Sequence, residues 1–150
     1  MSIVYVGSDH RGYQLRKQIV GVVTDLGYMV EEVGSSEYNP DDDYSEIGLV
    51  TAEKVVANKG EGILICGSGV GISIAANKVR GARAALCMEE KQAQLARSDD
   101  DANILCLAAD LVDSEENIAI VRVFLETLFS SEERHVRRIK KIKAYESKNS

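Results

Sequence analysis

Short apolar runs alternate along the chain with stretches whose apolar residues recur at helical spacing. Ile3–Val6 is a β-branched run ending at Gly7; Leu15, Ile19, Val22 and Leu26 follow at helical intervals, predicting a helix over Tyr13–Leu26. A weaker strand at Met29–Val33 gives way to a polar loop, Gly34–Asp43, which holds the only proline, Pro40. The alternation continues with helix Ile47–Val56, strand Gly62–Cys66, helix Val70–Val79, strand Ala82–Cys87, helix Glu89–Ala96 and strand Ile104–Ala108. Asp113 with Glu116, and Ser130 with Glu133, have capping-box spacing and predict two closing helices, Ile118–Phe129 and roughly Glu132–Glu146.

Strand runs this uniformly apolar need cover on both faces, which a parallel sheet flanked by helices provides. The expected fold is a three-layer, doubly wound α/β domain of Rossmann or flavodoxin-like type. It has five parallel strands, an additional C-terminal helix and a single domain over residues 1–150. Ligands in such folds bind where strands end and helices begin, beside the point at which strand order reverses. With a flavodoxin-like order 2-1-3-4-5, the first and third strand-to-helix junctions are neighbours, and these are Gly7–Gly12 and Cys66–Gly71.

Composition narrows the function classes. With 45% apolar and 28% charged residues in 150, the chain reads as one soluble globular domain. A formal net charge of −6 argues against bulk binding to nucleic acid or anionic membranes. The charge is uneven, because residues 131–150 hold seven Lys/Arg against three Glu, whereas the remainder holds eleven against twenty-one acidic residues. No apolar run reaches the length of a membrane span, and the first segment turns polar too early for a signal peptide. Three cysteines without a CxxC pair indicate a reduced, cytoplasmic protein, and two histidines without paired ligand spacing give no reason to expect a metal.

Gly67, Gly69 and Gly71 lead into a helix, so backbone N–H groups there can converge on an anion; the same spacing also suits a plain tight turn. It is neither the dinucleotide GxGxxG nor a P-loop. Cys66 stands just before that helix, a position that favours thiolate chemistry in general, as nucleophile or base. The alternative is a buried strand-end cysteine, as expected for Cys87 and Cys106.

The stretch Gly62-Ile-Leu-Ile-Cys66-Gly-Ser-Gly-Val-Gly-Ile-Ser-Ile-Ala-Ala-Asn-Lys78 resembles the signature of the type-B ribose-5-phosphate isomerases and the related galactose-6-phosphate isomerase subunits. The resemblance extends to Gly7–His10, Asp43-Tyr44, Gly81–Ala84, Ala102–Leu105 and Arg134-His135-x-x-Arg138, over roughly residues 3–142. It implies interconversion of ribose 5-phosphate and ribulose 5-phosphate through a cis-enediolate, without metal or organic cofactor. Cys66 is then the base that shuttles a proton between C2 and C1. Gly67, Gly69, Val70 and Gly71, with the Ser68 hydroxyl, form the oxyanion hole. Asp9 and His10 hold the sugar and its phosphate, although Asp9 also reads as a helix N-cap. Asp43 takes the place of a loop aspartate near the substrate. Arg134, His135 and Arg138 grip the phosphate in a partner subunit's site, implying a homodimer that sometimes pairs into tetramers.

Three positions depart from the family pattern. Asp99 takes the slot of the histidine that opens the sugar ring, Asp100 that of a sugar-binding asparagine, and Asp110 that of a phosphate-assisting arginine. Either Asp99 replaces the histidine as acid/base, or the substrate is another pentose, tetrose or hexose phosphate, a tetrose needing no ring opening. A third reading is a different ligand altogether, or reduced activity; a competing class is a flavodoxin-like module that holds an anion without catalysis.

Overall fold

The computed structural model describes residues 2–149, and among them every predicted strand is present. The strands are β1 (Ile3–Ser8), β2 (Met29–Val33), β3 (Glu61–Cys66), β4 (Ala84–Leu86) and β5 (Ile104–Ala108), all parallel. A short 3-10 turn, His10–Gly12, leads into α1 (Tyr13–Asp25); α2 (Tyr44–Asn58), α3 (Val70–Ala76), α4 (Glu90–Asp100), α5 (Ser114–Glu126) and α6 (Glu133–Lys148) follow.

The alternation of side chains along each strand feeds two cores. Val4, Val6, Ile63, Ile65, Leu105 and Leu107 pack against Ile19 of α1, Ala93 of α4 and Phe124 of α5. Tyr5, Leu64, Ile104 and Cys106 face the other way, against Ile47, Ala52 and Val55 of α2 and Ile72 of α3. The sheet is therefore covered on both faces, giving the expected three layers, with α6 laid on α4 through His135 and Ile139.

Strand order corrects one expectation. The sheet runs β2-β1-β3-β5-β4, so the last two strands are exchanged relative to 2-1-3-4-5. The reason is visible in their composition. Ile104–Ala108 is buried at every position and suits the interior of a sheet, whereas β4 is three half-buried residues, two of them alanine, and suits an edge. The exchange sets the end of β5 directly beside the end of β3. Ala109 N–H donates to the Cys66 carbonyl and Asp110 N–H to the Gly67 carbonyl, both at 2.9 Å.

The caps divide likewise. Asp113 Oδ1 accepts the Glu116 N–H at 2.8 Å, as the capping box predicts. Ser130 does not cap α6; Glu132 holds that position, and the Ser130 hydroxyl lies 2.7 Å from His135 Nδ1 instead. The acidic end of α4 is unfavourable to the helix dipole, and Arg83 offsets it. Its guanidinium donates to the Asp101 carbonyl at 2.7 Å and pairs with the Asp101 carboxylate.

Candidate active site

Three strands, β1, β3 and β5, end side by side, so their junctions lie together at one end of the sheet. At the first junction Asp9 is buried and caps the 3-10 turn, its Oδ1 accepting the N–H groups of Arg11 (3.0 Å) and Gly12 (3.3 Å). Burial pushes its carboxyl above the ordinary value, against the opposing pull of those two donors. The N-cap reading of Asp9 is thus realised.

His10 is fixed by an aspartate that the sequence did not single out. Its backbone N–H donates to Asp42 Oδ1 at 2.8 Å, and its Nδ1 lies 2.9 Å from the same oxygen. A carboxylate there keeps a proton on Nδ1, which leaves Nε2 to meet a ligand. Asp43, the expected loop aspartate, instead stands exposed at the N-cap of α2 with no capping bond from its side chain. Tyr44 follows it and packs its ring where a side chain on Gly71 would have to lie.

At the second junction Cys66 is 5% exposed, at the tip of the central strand. Its Sγ accepts the Gly69 N–H at 3.2 Å, a bond that strengthens when sulfur carries negative charge. Ser68 is exposed and its Oγ accepts the Val70 N–H at 3.3 Å. Two of the N–H groups expected to face a ligand are therefore spent inside the turn. Gly69 needs glycine on backbone grounds. Its φ is +76°, and a Cβ there would meet the backbone carbon and oxygen of Leu107 at 3.1 Å. Cys87, just past the end of β4, and Cys106, within β5, are both buried, as expected; burial pushes the Cys87 thiol up to about 11 and Cys106 higher still.

The remaining predicted residues form a second group elsewhere. Asp99 and Asp100 end α4, which runs back to the edge of the sheet where strands begin. There Arg97 reaches Glu61, the first residue of β3, at 3.5 Å. Glu61 and Cys66 are the two ends of one strand, about 16 Å apart at the usual rise. Asp99 Oδ1 accepts the Ser98 hydroxyl (2.8 Å) and lies 3.7 Å from Nε2 of His135, which is 5% exposed. His135 thus bridges Ser130 and Asp99 on the inner face of α6. Arg138 and Asp100 line a cleft of about 500 Å³ with Arg83 and Ile139. Arg134 is exposed and paired with Glu132. One chain therefore carries the thiol group and the arginine group at opposite ends of its sheet.

Arg16, buried in α1, went unnoticed in the sequence because it occupies a polar slot between Leu15 and Ile19. Its guanidinium donates to the carbonyls of Val33 (3.1 Å), Ser8 (3.4 Å) and Ser35, and its Nε lies 3.3 Å from Glu32. It pins the entry of the loop that carries Asp42. Among the described residues, no cluster of three or more His, Cys, Asp or Glu is placed to hold a metal ion, and no helix is long and apolar enough to cross a membrane.

Comparison with known proteins agrees with this architecture. Residues 4–142 match the family model described as Ribose/Galactose Isomerase. The ribose-5-phosphate isomerase B of Mycolicibacterium paratuberculosis is 40% identical over 144 residues, covering 95% of this chain and 91% of that protein. The crystal structure of ribose-5-phosphate isomerase B from Mycoplasma genitalium with bound ribulose-5-phosphate superposes with a TM-score of 0.93 at 44% identity, covering 97% of this chain and 96% of the other. The structure of Clostridium thermocellum ribose-5-phosphate isomerase B gives 0.94 at 41% identity, covering 99% of both chains. The chain belongs to the ribose/galactose isomerase family.

Proposed function

We propose that this chain is an aldose–ketose isomerase that interconverts ribose 5-phosphate and ribulose 5-phosphate, with Cys66 as its base. The observation that carries the reading is the thiol at the tip of β3, its sulfur turned to the Gly69 N–H inside a three-glycine turn. A module that only held an anion would need no base at that position. In the open-chain aldose, Cys66 removes the C2 proton and the carbonyl oxygen O1 gains negative charge. The Ser68 hydroxyl and the turn's remaining N–H groups stabilise that charge. The C2 proton is returned to C1 and the O2 proton ends on O1, which leaves the carbonyl at C2. His10 Nε2 and the loop beyond Asp42 orient the sugar.

The second group of residues fits the same reaction only across two copies. Arg134, His135 and Arg138 stand at the edge of the sheet opposite Cys66, so they serve the pocket of another chain. The functional unit is then a homodimer with shared sites, open to pairing into tetramers. Asp99 lies in this group and supplies the proton transfer that opens the furanose ring, with His135 behind it. Three free cysteines suit a reduced, cytoplasmic setting.

The test is a panel of four- to six-carbon sugar phosphates assayed with wild type and Cys66→Ala. Activity is expected on ribose 5-phosphate and its loss in the variant; activity on no member, or full activity in Cys66→Ala, overturns the assignment. Asp99→Asn separates ring opening from isomerisation. It should impair ribose 5-phosphate far more than erythrose 4-phosphate, and equal loss on both removes the ring-opening role. Mixing Cys66→Ala with an Arg134→Ala/Arg138→Ala variant should restore activity if sites are shared, since a mixed dimer then holds one intact site.

A further inference from the structure

Arg11 is the only lysine or arginine in the three junctions that follow the ends of β1, β3 and β5, residues 7–12, 66–71 and 108–113. Carboxylates stand around it: Asp9 and Asp110 bond to Arg11 itself, and Asp42 to the neighbouring His10. Its backbone is fixed by Asp9 Oδ1 at 3.0 Å, and its Nη2 donates to Asp110 Oδ2, which binds the first junction to the end of β5. The guanidinium passes close over Gly67, the residue that follows the thiol. A side chain on Gly67 would come within 2.5–2.8 Å of Arg11 Nε and Nη1, so only glycine leaves the arginine this path. Even so, the side chain is 57% exposed. The ion pair engages Nη2, and a guanidinium has four further N–H groups to offer.

We propose that Arg11, positioned by Asp110, is a ligand of the substrate's phosphate, supplied by the same chain that supplies Cys66. The proposal rests on the isomerase reading and deepens it. An anionic substrate arriving beside these three carboxylates meets repulsion unless a cation faces it, and Arg11 is the one the junctions provide. Its planar fork matches phosphate oxygens, and its location on the solvent side of the Gly67 turn suits a dianion that keeps part of its hydration. The Asp110 carboxylate removes the rotamer freedom that a long exposed side chain would otherwise lose on binding. Asp110 is thus a positioning residue, and its charge is the means by which Arg11 is aimed.

Two readouts test this: steady-state kinetics with ribose 5-phosphate, and calorimetric binding of inorganic phosphate, which needs no turnover. In Arg11→Met, which keeps the apolar stem, KM should rise at least tenfold, the effect on kcat should be smaller, and phosphate binding should weaken in proportion to KM. Arg11→Lys should recover part of the loss. Asp110→Asn should raise KM in the same direction but less. Unchanged KM and phosphate affinity in a folded Arg11→Met overturn the proposal, and so does a loss confined to kcat. A lower KM in Asp110→Asn would show that Asp110 competes for Arg11 instead of aiming it, and that also overturns it. The two readings fail separately. A wild type that isomerises nothing yet binds phosphate through Arg11 ends the isomerase reading alone. An active enzyme indifferent to Arg11 ends this one alone.

Discussion

Replacing Arg16 by methionine isolates what a buried guanidinium contributes to the frame of the site. Arg16 is 1% exposed and donates to three backbone carbonyls, of Ser8, Val33 and Ser35. Methionine keeps most of the stem's packing and orphans all three acceptors, at about 1 kcal/mol each. Relief from burying the charge returns part of this, because the Glu32 partner is half-exposed and can be hydrated alone. The net destabilisation is about 2–3 kcal/mol. At a urea dependence of about 2 kcal/mol per molar, the unfolding midpoint should fall by about 1–1.5 M with its slope unchanged. Glu32→Gln should cost less than Arg16→Met, because the guanidinium keeps its three carbonyl acceptors. KM should rise in Arg16→Met as well, because Gly34, at φ +115° with Arg16 Nη1 and the Ser8 carbonyl against its Cα, starts the loop that carries Asp42. A midpoint within about 0.3 M of wild type would refute the carbonyl argument. A Glu32→Gln loss as large as that of Arg16→Met would assign the effect to the ion pair.

Other expectations follow from the same geometry. Asp42→Asn should weaken the hold on His10 Nδ1 and lower kcat/KM by about tenfold, the order of one charge-assisted hydrogen bond, while thermal unfolding moves little. Gly69→Ala combines a left-handed backbone with a clash against Leu107, and should cost about 2–4 kcal/mol in denaturant titrations and abolish activity in the soluble fraction. Burial raises the carboxyls of Asp9 and Glu61 above their ordinary values of 3.8 and 4.5. Just above those values the folded chain binds more protons than the unfolded chain, so these two groups make stability fall as pH rises through that window. Asp9→Asn should flatten that part of the fall in a pH series of urea titrations; an unaltered profile would show that burial of Asp9 costs nothing.

Much of this was legible in the sequence because periodicity reports burial directly. Among the described residues the strands and the first four helices follow from apolar spacing and the last two helices were marked by capping-box spacing, with ends displaced by a few residues. The order of β4 and β5 was not legible from period alone, since it depends on which strand can bear two covered faces. The uniform apolarity of Ile104–Ala108 against the alanines of β4 was the available signal. Of the site, Cys66 and the glycine turn were legible as a strand end running into a helix. Asp42 was hidden within an acidic triplet, where any of three adjacent residues could reach back, and only the loop's path chooses among them. Ser130 read as a cap because capping depends on local spacing, whereas its actual partner, His135, was decided by how α6 packs.

The two borders of the sheet carry a consequence for how this chain meets others. On one side β2 presents Glu31 and Glu32 in succession, both exposed, and on the other β4 is only three residues long. A second copy approaching β2 strand to strand would set like charges against each other, and one approaching β4 would find too short a ladder to hold. Open sheets invite endless growth by adding strands, and this one has closed both routes. Contact through the helical surfaces would leave both borders of the sheet untouched.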